Sequence, residues 1–258
     1  MAAMTDMRCE MEQEAYEKLT VQWFNDAKVD STDGYDCPRC GNKLMYAEWD
    51  EAEKRVRRYV CPCQSLRVAR TQIKRAGLER LLDSDAMATF QAKEPWQKRM
   101  LETAQSYIHA PEGWLVLSGQ SGCGKTHLCT AAYVQLIHKG LRGQFMAWRD
   151  RIGTLKSVDI PREDIERELT GYKQAQLLCI DDLLKCGDGQ PTRADKDIAF
   201  EILDARYRAK LPTILSTELS LPQLEQLDEA IAGRIHEMAA GRIVSVKRDR
   251  FRNLRLRS

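Results

Sequence analysis

Residues 119–126 read Gly-Gln-Ser-Gly-Cys-Gly-Lys-Thr, a complete G-x-x-x-x-G-K-T loop. An apolar run, Gly113-Trp-Leu-Val-Leu-Ser, precedes it, and a helical pattern from Thr126 to His138 follows. A strand, a glycine-rich turn and a helix in that order form a phosphate cradle. The glycines let the backbone wrap phosphate oxygens, and the helix aims its unpaired N–H groups and positive dipole end at them. Gly119, Gln120, Ser121, Gly122, Cys123, Gly124, Lys125 and Thr126 are thus the candidate nucleotide-binding residues. Lys125 is suited to reach the β- and γ-phosphates, and the Thr126 hydroxyl to hold Mg²⁺. A glycine-rich turn without a ligand is the alternative, and the fit of both flanks argues against it.

A chain of 258 residues suits one large or two unequal domains, and its 43% hydrophobic content suffices for a core. No apolar stretch approaches the length needed to cross a bilayer. The first residues carry Asp6, Glu10, Glu12 and Glu14 rather than a basic-then-apolar signal peptide. Nine cysteines without an export signal point to a reducing cytosol, where thiols serve metals or cores. The expectation is a cytoplasmic protein with no membrane partner. The net charge of +2 says little, but its distribution is uneven. Residues 54–75 hold eight Lys and Arg with no acid, and Arg242 to Arg257 is basic apart from Asp249. Either stretch could meet phosphate backbones or be a solvated, salt-bridged surface.

Residues 1–30 read as an acidic amphipathic helix, with Met11, Ala15, Leu19 and Trp23 recurring at helical spacing. Turn-formers at 30–34 break it, a cysteine-bounded module spans 35–63, and a basic helix runs to about Gly77. Strands are expected at 114–118, 143–148, 176–181, 212–216 and 242–246, with helices between them. That alternation implies an α/β fold with a five-stranded parallel sheet. The domains are expected at 1–77 and 78–258.

Cys37-Pro-Arg-Cys40 and Cys61-Pro-Cys63 enclose a twenty-residue gap. Two thiol pairs on turns can close tetrahedrally around Zn²⁺, so Cys37, Cys40, Cys61 and Cys63 are the candidate metal ligands. Leu44 to Trp49 and Val56 to Val60 read as strands of a small ribbon, too poor in apolar residues to stand without a metal staple. The second pair is C-x-C rather than C-x-x-C, which leaves free or redox-active thiols open.

Leu177-Leu-Cys-Ile-Asp-Asp-Leu183 is an apolar strand ending in two carboxylates. Such a strand is expected beside the loop strand, with Asp181 supporting Mg²⁺ and Asp182 polarising the attacking water.

Gly122-Cys-Gly-Lys-Thr-His-Leu128, Ile180-Asp-Asp-Leu183, Pro212-Thr-Ile-Leu-Ser-Thr217 and Ala230-Ile-Ala-Gly-Arg-Ile235 together resemble the AAA+ helicase loaders of the DnaC/DnaI type. They also resemble the related transposition ATPases of the IstB type. The resemblance runs from about Cys37 to Arg257 and implies an AAA+ P-loop core without a full lid, behind a zinc-ribbon-like N-terminal module that binds the helicase. It implies a slow ATPase using ATP, Mg²⁺ and Zn²⁺, partnered by a replicative DNA helicase, single-stranded DNA and further copies of itself, and of phage or mobile-element association. The IstB-like alternative is a transposition helper binding duplex DNA and a transposase. By position, Thr217 or Glu218 falls at the sensor site; an ionised Glu cannot donate to a γ-phosphate, which favours Thr217. Arg234 matches the arginine finger that reaches a neighbour's nucleotide. Arg255 is a weaker match to a second sensor, a basic tail being the other reading. Met87-Ala-Thr-Phe90 resembles the adenine-pocket segment, with Phe90 equally suited to anchor the core. Trp148 could stack on a base, with Arg149 and Arg151 on phosphates, or be a buried strand-end residue.

Overall fold

The structure, a computed structural model, describes residues 2–82, 84–187 and 190–254. Arg255 lies outside them. The chain divides into two compact units, Met1–Arg67 and Val68–Ser258.

In the first unit, helix α1 (Ala2–Asp26) leads to an antiparallel ribbon of β1 (Met45–Asp50) and β2 (Arg55–Val60). Tyr46 and Tyr59 are register partners and stack at 5.5 Å. Asn25 clips the helix to the ribbon by exchanging hydrogen bonds with the Ala47 backbone at 2.8 and 2.9 Å. The helix forms as expected, but Leu19 and Trp23 face solvent, 46% and 59% exposed. The half-buried side goes instead to Val21, Phe24 and Asn25, because a two-stranded ribbon offers little apolar surface to cover. α2 (Cys63–Arg75) begins in this unit and continues into the second.

The second unit continues with α3 (Pro95–His109), β3 (Trp114–Gly119), α4 (Lys125–His138), β4 (Gly143–Ala147), α5 (Trp148–Leu155) and α6 (Arg162–Gln174). β5 (Leu177–Asp181), α7 (Arg193–Arg208), β6 (Thr213–Thr217), α8 (Leu221–Leu227), α9 (Glu229–Ala239) and β7 (Ile243–Val246) complete it. All five strands are parallel in the order β4-β5-β6-β3-β7. β3, β5 and β6 are buried along their whole length. Helices cover both faces of a parallel sheet, so its central strands read as continuous apolar runs. Trp114, Trp148, Ile180 and Leu215 share one core cluster and are fully buried. Trp148 therefore belongs to packing: its ring has no exposed face to offer a base.

One placement departs from expectation. The acid strand β5 is not beside the loop strand β3, because β6 lies between them. Asp181 must reach the loop across the end of β6, and β6 supplies a bridging side chain for that span.

Candidate nucleotide site

β3 ends at Gly119, whose φ of 135° lies outside the range of L side chains. A Cβ there would also strike Val246 of β7 at 2.5 Å, so only glycine lets the loop leave the sheet at this point. Gly124, at φ 94°, opens α4 without a side-chain cap. A Cβ on Gly124 would meet the Phe90 ring at 2.5 Å. The first-turn N–H groups of α4 thus lack a side-chain acceptor and suit an anion. Lys125 is 4% exposed, with its Nζ donating to the Gln120 carbonyl at 2.9 Å. It closes the loop on itself.

The acid tip assembles from two strands and a helix, β5, β6 and α4. The Thr126 hydroxyl donates to Asp181 Oδ1 at 2.8 Å, and the Ser216 hydroxyl donates to the same oxygen at 2.5 Å. Burial, followed by the charge of Asp182, raises the Asp181 pKa against these two hydrogen bonds. A buried carboxylate under that strain and next to a threonine hydroxyl is a donor set for a small, hard divalent cation such as Mg²⁺.

Past β5 the chain turns sharply, with Asp182 and Leu184 at φ 57° and 59°. Three hydrogen bonds to β6 hold this turn: Asp182 N–H to Ser216 Oγ at 2.8 Å, Leu183 N–H to the Ser216 carbonyl at 2.8 Å, and the Thr217 hydroxyl to the Leu183 carbonyl at 3.0 Å. Thr217 is 1% exposed and spends its hydroxyl on this brace, whereas the next residue, Glu218, lines the cavity. Lys185, at the end of the turn, pairs with Asp182 at 2.8 Å and with Glu218 at 2.7 Å. Burial works against the Lys185 charge, but the two carboxylates outweigh it and push its pKa up. Burial likewise opposes ionisation of Glu218, and Lys185 prevails in holding its pKa down.

The loop with Asp182, Lys185 and Glu218 lines a cavity of about 200 Å³. Its lining joins polar Arg80, Ser121, Lys125, Thr126, Asp182, Lys185 and Glu218 with apolar Leu78, Leu81, Phe90 and Leu254. Phe90 is both wall and core residue, 8% exposed and tilted against His127 at 5.6 Å. The segment after β7 folds over the loop. Gln120 and the Asp249 backbone exchange hydrogen bonds at 2.8 and 2.6 Å, and Leu254 N–H donates to the Gly122 carbonyl at 2.9 Å.

Arg234 stands apart from this cavity. It holds Asp204 Oδ1 through Nε at 2.8 Å and Nη2 at 2.6 Å, and lies over the Phe200 ring at 4.6 Å. Arg151 is engaged by Glu168 at 2.5–2.8 Å, while Arg149 is exposed. The sequence did not single out Lys185, which lies outside every motif, or Ser216, which sits unremarked inside the Pro212–Thr217 stretch. Their only signal is distance along the chain from Asp182 and Thr217.

In the first unit, Cys37, Cys40, Cys61 and Cys63 bring their sulfurs within 4.8 Å of one another, all buried. Cys37–Cys61 is 3.8 Å and Cys40–Cys63 is 3.5 Å. These spacings are far too long for disulfides. They match the edge of a tetrahedron with thiolate bonds of about 2.3 Å, roughly 3.8 Å. Two knuckles shape the set: Gly41 N–H donates to the Cys37 carbonyl at 3.0 Å, and Cys61 N–H to the Leu44 carbonyl at 2.7 Å. Gly41 has no room for a Cβ, which would meet the Ala27 carbonyl at 2.5 Å. Asn42 accepts from Cys37 N–H at 2.8 Å and from Arg67 at 2.6 Å, and Arg67 also pairs with Asp33. The four sulfurs could hold a tetrahedral metal ion.

The sequence profile of the family described as IstB-like ATP binding protein matches residues 52–257. Phage-like element PBSX protein XkdC of Bacillus subtilis (strain 168) is 34% identical over 143 residues, covering 52% of this chain and 50% of its own length. Replicative helicase loader DnaC of Escherichia coli (strain K12) is 23% identical over 168 residues, 64% of this chain and 67% of that protein. A crystal structure of the DnaC helicase loader matches at a TM-score of 0.55 and 27% identity, covering 62% of this chain and 96% of that one. The chain spans about half the length of the curated Bacillus relatives it matches.

Proposed function

The chain belongs to the IstB-like ATP binding protein family, and on that premise we propose that it is an ATP-switched loader of a replicative DNA helicase onto single-stranded DNA. The observation that carries this reading is a cavity lined by the phosphate loop and Asp182, with Asp181 tied to Thr126 beside it, in the same chain as a buried four-cysteine set. Likeness to the DnaC helicase loader over nearly that whole structure supports it.

In this reading Lys125 and the α4 amides hold the ATP phosphates, and Thr126 with Asp181 receives Mg²⁺. Asp182 takes the proton side of the attacking water. Its side chain is shorter than a glutamate, so hydrolysis is slow and ATP acts as a timer more than as fuel. Thr217 contributes by bracing the turn that presents Asp182, and Glu218 is the residue of that strand end that faces the nucleotide. Copies of the chain assemble side by side, and Arg234 exchanges Asp204 for a neighbour's nucleotide. Cys37, Cys40, Cys61 and Cys63 hold one structural Zn²⁺, which orders the module that takes the helicase. No described helix is long and apolar enough to cross a membrane.

The test is co-purification of the cognate hexameric helicase with this chain. A complex that forms with ATP and dissolves on hydrolysis supports the loader, and a helicase that never associates removes it. The family's description favours one second reading, a transposition helper that assembles on duplex DNA and directs a transposase. Titrations with both forms of DNA separate the two, because the helper prefers duplex and the loader single strands.

A further inference from the structure

Asp181, Asp182 and Glu218 gather at the end of the sheet beside a loop built for a polyanion. Carboxylates facing phosphate at short range repel it strongly where water is scarce. Lys125 carries one charge against three carboxylates and cannot offset all of them. Arg80 also reaches the cavity wall but is exposed, whereas Lys185 stands between Asp182 and Glu218 at 2.8 and 2.7 Å.

Three features fit Lys185 for more than a surface ion pair. Its side chain is only 23% exposed. Its backbone is fixed: Leu183 and Leu184 are buried, three hydrogen bonds rivet the turn to β6, and Lys185 N–H donates to the Asp182 carbonyl at 3.0 Å. An ammonium also has three protons, of which the two carboxylates take two. Glu218, the residue that faces the cavity from β6, has no proton to give when ionised.

We infer that Lys185 is a second phosphate-binding cation, held in the fork of Asp182 and Glu218 so that its remaining proton meets the terminal phosphate and the site prefers a nucleoside triphosphate to a diphosphate. The inference rests on the nucleotide reading above and assigns the donor that β6 lacks to the turn after β5. A merely structural clip between two acids would treat both nucleotides alike.

The experiment measures ATP and ADP affinities of the full chain with Mg²⁺ by competition against a fluorescent nucleotide. Lys185→Met is expected to weaken ATP by about tenfold or more and ADP by less than about threefold, the size of one lost charge-assisted hydrogen bond. Lys185→Arg is expected to keep most of the preference. Glu218→Gln, which removes a negative charge facing the phosphate, is expected to raise the ATP:ADP ratio and serves if Lys185→Met does not fold. An ATP:ADP ratio that stays fixed through these changes overturns the role of Lys185 alone. A wild-type chain that binds neither nucleotide overturns the reading beneath it.

Discussion

The Thr126 hydroxyl donates to Asp181 Oδ1 across 2.8 Å, tying the first turn of α4 to the tip of β5 although β6 separates the two strands. Asp181 is 9% exposed, and burial with the nearby Asp182 charge raises its pKa. A carboxyl whose pKa is raised on folding binds its proton more tightly folded than unfolded. Its contribution to stability therefore falls as pH rises from the ordinary carboxylate value through the raised one. Asp181→Asn should raise the melting temperature of nucleotide-free protein at neutral pH, by about 2–4 °C for each kcal/mol of relieved burial. The gain should shrink as the pH is lowered, and Mg²⁺-ATP should no longer raise the melting temperature of the variant. Thermal melts across pH check this; a variant less stable than wild type at neutral pH contradicts it.

Arg206 is a buried cation that pairs with no carboxylate among the described residues. It is 0% exposed, and burial lowers its pKa to about 10, which leaves it charged at neutral pH. Its guanidinium donates to Thr213 Oγ1 at 2.8 Å and to the carbonyls of Tyr172, Ala175 and Pro212 at 2.9, 2.8 and 2.6 Å. Removing it strands several acceptors at about 1–3 kcal/mol each. Arg206→Met should cost at least about 3 kcal/mol in chemical denaturation. A loss below about 1 kcal/mol would show that water replaces the guanidinium.

If the four cysteines hold Zn²⁺, purified protein should carry one zinc per chain, and a mercurial reagent should release it with loss of order in residues 27–67. Cys63→Ser should lower zinc content while ATP binding by the second unit persists. Metal analysis decides: a folded chain with four free thiols and no zinc sets the assignment aside.

Arg234 has a partner in Asp204, and Asp204 has a second in Arg208 at 2.7 Å. Loss of Arg234 therefore leaves Asp204 paired, and the stability cost should stay within about 1 kcal/mol. As a finger acting on a neighbour, Arg234→Ala should reduce ATP hydrolysis by about 10³-fold, the usual worth of such a group, with ATP binding unchanged. Steady-state phosphate release at high protein concentration is the measurement, and full hydrolysis in the variant ends the assignment.

Each of the five core strands lies within one residue of the range read from sequence, for example 114–118 against Trp114–Gly119. Strands buried on both faces announce themselves as apolar runs between turn residues. The glycine loop was equally plain, because its backbone demands leave little choice of residue. What stayed hidden depends on side-chain direction and tertiary neighbours. Trp148 reads equally well as exposed or buried until the core it shares with Leu169, Ile180 and Leu215 assembles around it. Nothing local says that Thr217 turns to Leu183 while Glu218 turns to the cavity. Strand order was misjudged because adjacency of β3 and β5 is a matter of topology, which alternating periodicity does not encode. Lys185 and the fold-back of Asp249 to Leu254 onto the loop arise from turns whose course is set by contacts far along the chain.

Equilibrium dialysis of folded protein against radiolabelled ATP tests most directly whether the glycine loop and the Asp181 tip grip one magnesium-bound triphosphate. Saturation at one ATP per chain is expected, weakened by removing Mg²⁺ and abolished in Lys125→Ala. No saturable binding by the folded wild-type chain, or unaltered binding by Lys125→Ala, would contradict it.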